Sequence, residues 1–222
     1  MTSNGGSRPT AQKRAADALR SAILEGELRP GQRISQETWA ERTGVSLIPL
    51  REALQGLAGE GLVAYRPRRG YAVTELDLAE LADVYSLRKI LETEAIERGV
   101  PDASDADVAV LAAAADRCRS TGRSDDVALR LSANREFHDA LHGLARSRQL
   151  TRLIDQLWDA TEAYRALYYT LPGEVARADS AHDEIVEAVR RRDKRRVVAL
   201  QDEHRERALA LLRTALPERA VA

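Results

Sequence analysis

The chain has 222 residues, 44% hydrophobic and 31% charged, with a formal net charge of −1. That suits one large or two small domains with real cores, and no apolar run approaches the ~18–20 residues of a membrane helix. The N-terminus carries no charged, apolar and cleavage-site triplet, and a lone Cys118 excludes an intrachain disulfide, so a reducing cytoplasm is expected. Charge is unevenly spread: residues 1–74 balance at +4 and residues 75–222 at −5. A basic head on an acidic body fits a phosphate-binding module joined to one that avoids phosphate.

Residues 1–9, rich in Ser, Gly, Asn and Pro, read as a disordered lead. From Thr10 to Glu27, Ala15, Ala18, Leu19, Ala22 and Ile23 recur at helical spacing, and Pro30-Gly31 closes the segment with a turn. Ser35 is placed to cap a short helix holding Trp39 and Ala40, ended by Gly44. Ser46 is placed to cap the next helix. Pro49 falls in its first turn, where a missing N–H breaks no helical bond. Leu50, Leu54 and Leu57 make its buried stripe, leaving Leu47, Arg51 and Gln55 on an outward face. Val63–Arg66 and Tyr71–Thr74 read as two strands around Pro67-Arg68-Arg69-Gly70.

That order predicts a winged helix-turn-helix over residues 10–75, with one helix in the major groove of double-stranded DNA and a basic ribbon on its backbone. Arg51 suits a bidentate contact to guanine or a phosphate, and Gln55 a base or a phosphate. Arg66, Arg68 and Arg69 would add phosphate or minor-groove attraction.

After Thr74 glycine becomes rare and helical periods take over. Helices are expected over about 77–98, 104–120, 125–143, 147–170, 173–191 and 194–214, forming an all-helical antiparallel bundle over residues 78–215. The fold class is therefore mainly α. All four histidines lie in this part. His182 shares a stripe with Ile185, Val186 and Val189, and His204 with Leu200, Ala208 and Leu211. His138 lies with Leu131 and Leu141, and Asn134 precedes it by one turn. His182 and His204 are each eleven residues from Asp193, around which the last two helices turn, so an antiparallel hairpin brings them level.

For any one imidazole, a core residue bonded to a neighbour is the simpler reading. For the level pair with His138, a divalent cation is favoured, zinc or nickel before calcium or magnesium. His142 is expected at the rim or surface. Arg88 lies on an apolar stripe, where a guanidinium is costly unless it meets an anion. An internal partner such as Glu92 and a carboxylate ligand are both open on the residues alone.

Residues 28–74, from Leu-Arg-Pro-Gly-Gln-Arg-Ile-Ser through Val-Ser-Leu-Ile-Pro-Leu-Arg-Glu-Ala-Leu to Glu-Gly-Leu-Val, resemble the DNA-binding domain of GntR-superfamily transcription regulators. The resemblance implies DNA contacts from Ser46, Leu47, Arg51, Gln55, Arg66, Arg68, Arg69 and Gly70. Relatives usually have a DNA-contacting arginine where Leu47 stands, and some have one where Glu37 stands. Leucine cannot hydrogen-bond a base and leaves an apolar contact to a thymine methyl. Leu87-Arg-Lys-Ile-Leu-Glu-Thr-Glu-Ala and Asn134-Arg-Glu-Phe-His138 resemble the FCD sensor domain of the FadR branch. This implies a metal held by Asn134, His138, His182 and His204, and a carboxylate effector at Arg88. Relatives mostly have aspartate at position 134.

The expected function is a ligand-responsive repressor that binds a near-palindromic operator as a homodimer. A metal-dependent hydrolase is the rival. It lacks an H-E-x-x-H glutamate, and Asp139 and Asp183 fall off the metal-facing stripe. A purely structural metal is the third reading.

Overall fold

The computed structural model describes residues 10–24, 26–122, 124, 126–169 and 173–215. The expected lead over residues 1–9 lies outside them. The chain divides into two compact units, Met1–Glu75 and Leu76–Ala222.

In the first unit α1 (Ala11–Leu24), α2 (Gln36–Thr43) and α3 (Leu47–Gly59) precede an antiparallel ribbon of β1 (Val63–Arg66) and β2 (Gly70–Val73). Its core is Leu19, Ile23, Leu50, Leu54, Leu57 and Leu62, all essentially inaccessible to water. Ser35 caps α2 through the Thr38 N–H, and Gly44 ends it in the left-handed region at φ 64°. Ser46 also stands at an N-cap, but its hydroxyl makes no capping bond, contrary to expectation. The third helical residue is Pro49, which has no N–H to donate to it. The second strand starts one residue earlier than expected. Gly70, at φ 80°, pairs with Arg66. The Ile34 N–H donates to the Tyr71 carbonyl and the Val73 N–H to that of Gln32, so residues 32–34 back the ribbon.

The second unit comprises α4 (Leu78–Gly99), α5 (Asp105–Thr121), α6 (Val127–Gly143), α7 (Arg148–Tyr169), α8 (Glu174–Arg190) and α9 (Lys194–Ala215). A 3-10 turn over Val100–Asp102, with no counterpart in the sequence reading, links α4 to α5. Asp77 and Ser104 start α4 and α5 with reciprocal capping boxes to Glu80 and Asp107. The main core joins Ile96, Leu111, Phe137, Leu141, Ile185, Val189 and Val197. Gly99 admits the end of α6: a Cβ there would fall 2.4 Å from the Leu144 carbonyl carbon. Between α8 and α9, Arg192 takes φ 57° and Asp193 accepts the Arg196 N–H. Among the described residues no helix is long and apolar enough to cross a membrane.

Candidate metal centre and nucleic-acid interface

Three helices deliver the histidine cluster. His138 comes from α6, His182 from α8 and His204 from α9, with one ligand nitrogen from each lying within 4.8 Å of the others. Ring centroids are 5.3 Å apart for His138–His182, 5.5 Å for His138–His204 and 5.7 Å for His182–His204. His138 and His182 are buried and His204 partly so. Among the described residues, Nε2 of His138 and both ring nitrogens of His182 have no hydrogen-bond partner, nor has Oδ1 of buried Asn134. Unmade bonds on buried polar atoms cost stability, so their grouping calls for a ligand. Burial first, and then neighbouring imidazoles, hold His138 and His182 well below the usual histidine range. Burial, then Arg165 and Arg88, brings His204 to about 4. Neutral imidazole with a free nitrogen is the form that a transition metal takes. The donor set therefore fits such a cation.

His142 corrects an expectation. It is buried at 2% exposure rather than at the rim, and neither ring nitrogen has a hydrogen-bond partner among the described residues. One turn beyond His138, it packs toward Trp158 of α7, with ring centroids 6.1 Å apart. Its own stripe of α6 alone could not reveal that α7 closes over it.

Arg88 finds the internal partner. Its Nε donates to Glu92 Oε1 at 2.9 Å, and its guanidinium lies over Trp158 at 4.2 Å. Glu92 is wholly buried. It also accepts from Trp158 Nε1 at 2.7 Å, from Gln201 Nε2 at 3.1 Å and from Arg205 at 2.9 Å. Burial alone would raise its carboxyl, but the nearby charges of Arg88 and Arg205 outweigh burial and hold it below the usual range. Gln201 Nε2 in turn lies 3.3 Å from His138 Nδ1, so one amide links this ion network to the histidines. A small cavity of about 30 Å³ opens beside it, lined by Arg88, Asn134, Arg165, Gln201, His204 and Arg205. Of these the sequence reading lacked Arg165, Gln201 and Arg205. A signal existed, since Gln201 and Arg205 are polar residues on the inward stripe of α9.

Asp139 bonds Arg135, and Asp183 bonds Arg119, both on the exposed side of their helices. Neither belongs to the histidine cluster. Cys118 is buried, and desolvation pushes its thiol up to about 12, which leaves it protonated and unreactive.

In the first unit Leu47, Arg51 and Gln55 share the outward face of α3. Arg51 Nε donates to Gln36 Oε1 of α2 at 2.9 Å. An open hollow between α3 and the ribbon is lined by Gln36, Arg51, Gln55, Tyr65, Arg68 and Gly70. Arg66, Arg68 and Arg69 are exposed on the ribbon, with Arg66 3.9 Å from Glu75.

A winged helix-turn-helix carrying such a face, followed by an all-helical bundle, defines a DNA-binding transcription regulator. Residues 11–73 match the bacterial regulatory proteins of the gntR family, and residues 83–207 match the FCD domain. The chain belongs to the GntR family of regulators with an FCD domain, which are not enzymes. It is 28% identical over 179 residues to the HTH-type regulator YdhC of Bacillus subtilis, covering 79% of each chain. It is 29% identical over 198 residues to the repressor GlaR of Escherichia coli, covering 84% of this chain and 88% of that one. The solved structure of E. coli McbR/YncC superposes with a TM-score of 0.78 at 22% identity, over 94% of this chain and 99% of that one, a likeness of fold.

Proposed function

We propose that this regulator is a cytoplasmic, metal-containing sensor of a small organic acid. It represses transcription by binding a near-palindromic operator as a homodimer. The observation that carries the sensor reading is the set of buried polar atoms on Asn134, His138 and His182 with no partner among the described residues, grouped with His204 beside the Arg88–Glu92 network. Asn134, His138, His182 and His204 would hold the cation, zinc before nickel. The metal, when bound, supplies a Lewis-acid position for a carboxylate oxygen. Asn134 offers an oxygen without charge, where an aspartate would bind more tightly. Arg88 would fork the effector carboxylate. For that its guanidinium must leave Glu92, because a cavity of about 30 Å³ holds little more than a water. Glu92 keeps Arg205, Trp158 and Gln201 when Arg88 departs. A ligand that favours one arrangement of this network changes operator affinity by its coupling factor.

On the DNA side, Ser46, Leu47, Arg51 and Gln55 of the recognition helix and Arg66, Arg68, Arg69 and Gly70 of the wing would make the contacts. Ser46, free of its capping role, has a hydroxyl available to a phosphate. Two-fold symmetry sets the recognition helices about 34 Å apart, one turn of duplex. Repression is supported by the relative GlaR, which is named a repressor.

The reading is tested by titrating the protein onto DNA upstream of its own gene, with and without zinc, against a panel of carboxylates. Release of DNA by one acid, and only with metal present, is expected. Indifference to every acid, together with unfolding of the bundle on chelation, would instead make the metal structural. The stacking of His182 on Phe137, with centroids 4.1 Å apart inside the main core, favours that second reading.

A further inference from the structure

We infer that the first turn of α3 reads thymine methyl groups through Leu47 and Ile48. The inference rests on α3 being the DNA-contacting helix and adds what it recognises. Leu47 is 37% exposed and Ile48 71%. Single exposed apolar side chains are ordinary, but these two are adjacent in the turn of a recognition helix that reaches base edges. Both lie on the face that carries Arg51 and Gln55: Arg51 is four residues from Leu47 and three from Ile48, and Gln55 is eight and seven. The opposite face is filled by Leu50, Ala53, Leu54 and Leu57, so no rotation of the helix could bury Ile48 without exposing the core.

The surroundings select the occupant. Arg51, one turn on, lines the neighbouring hollow with Arg68, and Arg66 and Arg69 are exposed on the same ribbon, which suits a polyanion and repels a second copy of the same surface. Gln36 holds the Arg51 guanidinium by its Nε, leaving the terminal nitrogens without a partner among the described residues. A polar base edge placed against Leu47 and Ile48 would lose water and gain no hydrogen bond. The apolar group on the floor of the major groove is the thymine C5 methyl. The favoured half-site therefore sets one or two thymines beside a guanine or phosphate that Arg51 grips.

The test starts from duplexes selected by the full-length protein out of a random-sequence pool. In the tightest of them each thymidine is replaced in turn by deoxyuridine, which removes the methyl alone. Loss of about three- to fourfold in affinity per contacted methyl is expected at one or two positions of each half-site. The variant Leu47→Ala/Ile48→Ala should bind the parent duplex more weakly and be indifferent to those same replacements. Both positions are solvent-facing and alanine favours helix, so the variant keeps its fold. Indifference of the wild type to every deoxyuridine, or an undiminished penalty in the variant, would overturn the inference. Failure to select any duplex would overturn the DNA-contacting assignment beneath it, and this inference with it.

Discussion

His182 and His204 face one another across the α8–α9 hairpin with ring centroids 5.7 Å apart, each eleven residues from Asp193. The hairpin sets them level, and α6 adds His138 to the pair. Replacing either with alanine should lower zinc affinity by at least about a hundredfold, since even outer partners of metal ligands contribute ten- to a hundredfold. His142→Leu should change it by only a few fold, because His142 lies outside the cluster. Competition with a chromogenic chelator measures both; equal losses would dissolve the distinction.

Glu92 is the anion on which the Arg88 and Arg205 guanidinium groups converge. Glu92→Gln removes that charge and leaves buried cations undercompensated, so a loss of about 3–5 kcal/mol is expected in urea unfolding. Lys89→Ala, on the exposed side of the same helix, should stay within about 0.5 kcal/mol.

Acid should weaken the metal-free protein in a defined window. Burial brings His142 from 6.5 to about 4. Between those values the unfolded chain binds a proton that the folded one refuses, so stability is full above pH 6.5 and falls as pH drops toward 4. This group alone contributes about 3 kcal/mol to that fall. Glu92 acts with the same sign in a lower range: its contribution is complete above 4.5 and disappears only as pH falls through its lowered folded value. Denaturant midpoints between pH 7 and pH 4 should therefore slope in the wild type and slope less in His142→Leu, where His138, His182 and His204, also lowered by burial, still contribute.

Arg51→Ala should weaken operator binding by a factor equivalent to about 1–3 kcal/mol and, where its contact is a phosphate, reduce the salt slope by about one. Anisotropy titrations at several salt concentrations report both. Unchanged affinity with an unchanged slope would remove Arg51 from the recognition surface.

At Gly99 a side chain would strike backbone, the Leu144 carbonyl carbon at 2.4 Å and the Ala145 nitrogen at 2.5 Å. Gly99→Ala should accordingly cost about 1–3 kcal/mol by overpacking, despite alanine's better helix propensity. A thermal melt at or above the parent's would show that α6 can yield.

The winged helix-turn-helix, the all-helical bundle and the meeting of three histidines could be read from the chain itself. Each depends on periodicity, caps and the symmetry of a short hairpin, which are local properties. Where local rules misled, a neighbour intervened. Ser46 lost its capping bond because Pro49 offers no N–H, and Gly70 extended a strand through a backbone angle open to glycine. The interior of the bundle was another matter. That His142 is buried, that Glu92 accepts from four side chains of three helices, and that Gln201 ties this network to His138 were decided by packing alone. One helical stripe states that a residue faces inward, but which groups meet it there depends on helices far away in sequence and on the dielectric they jointly create.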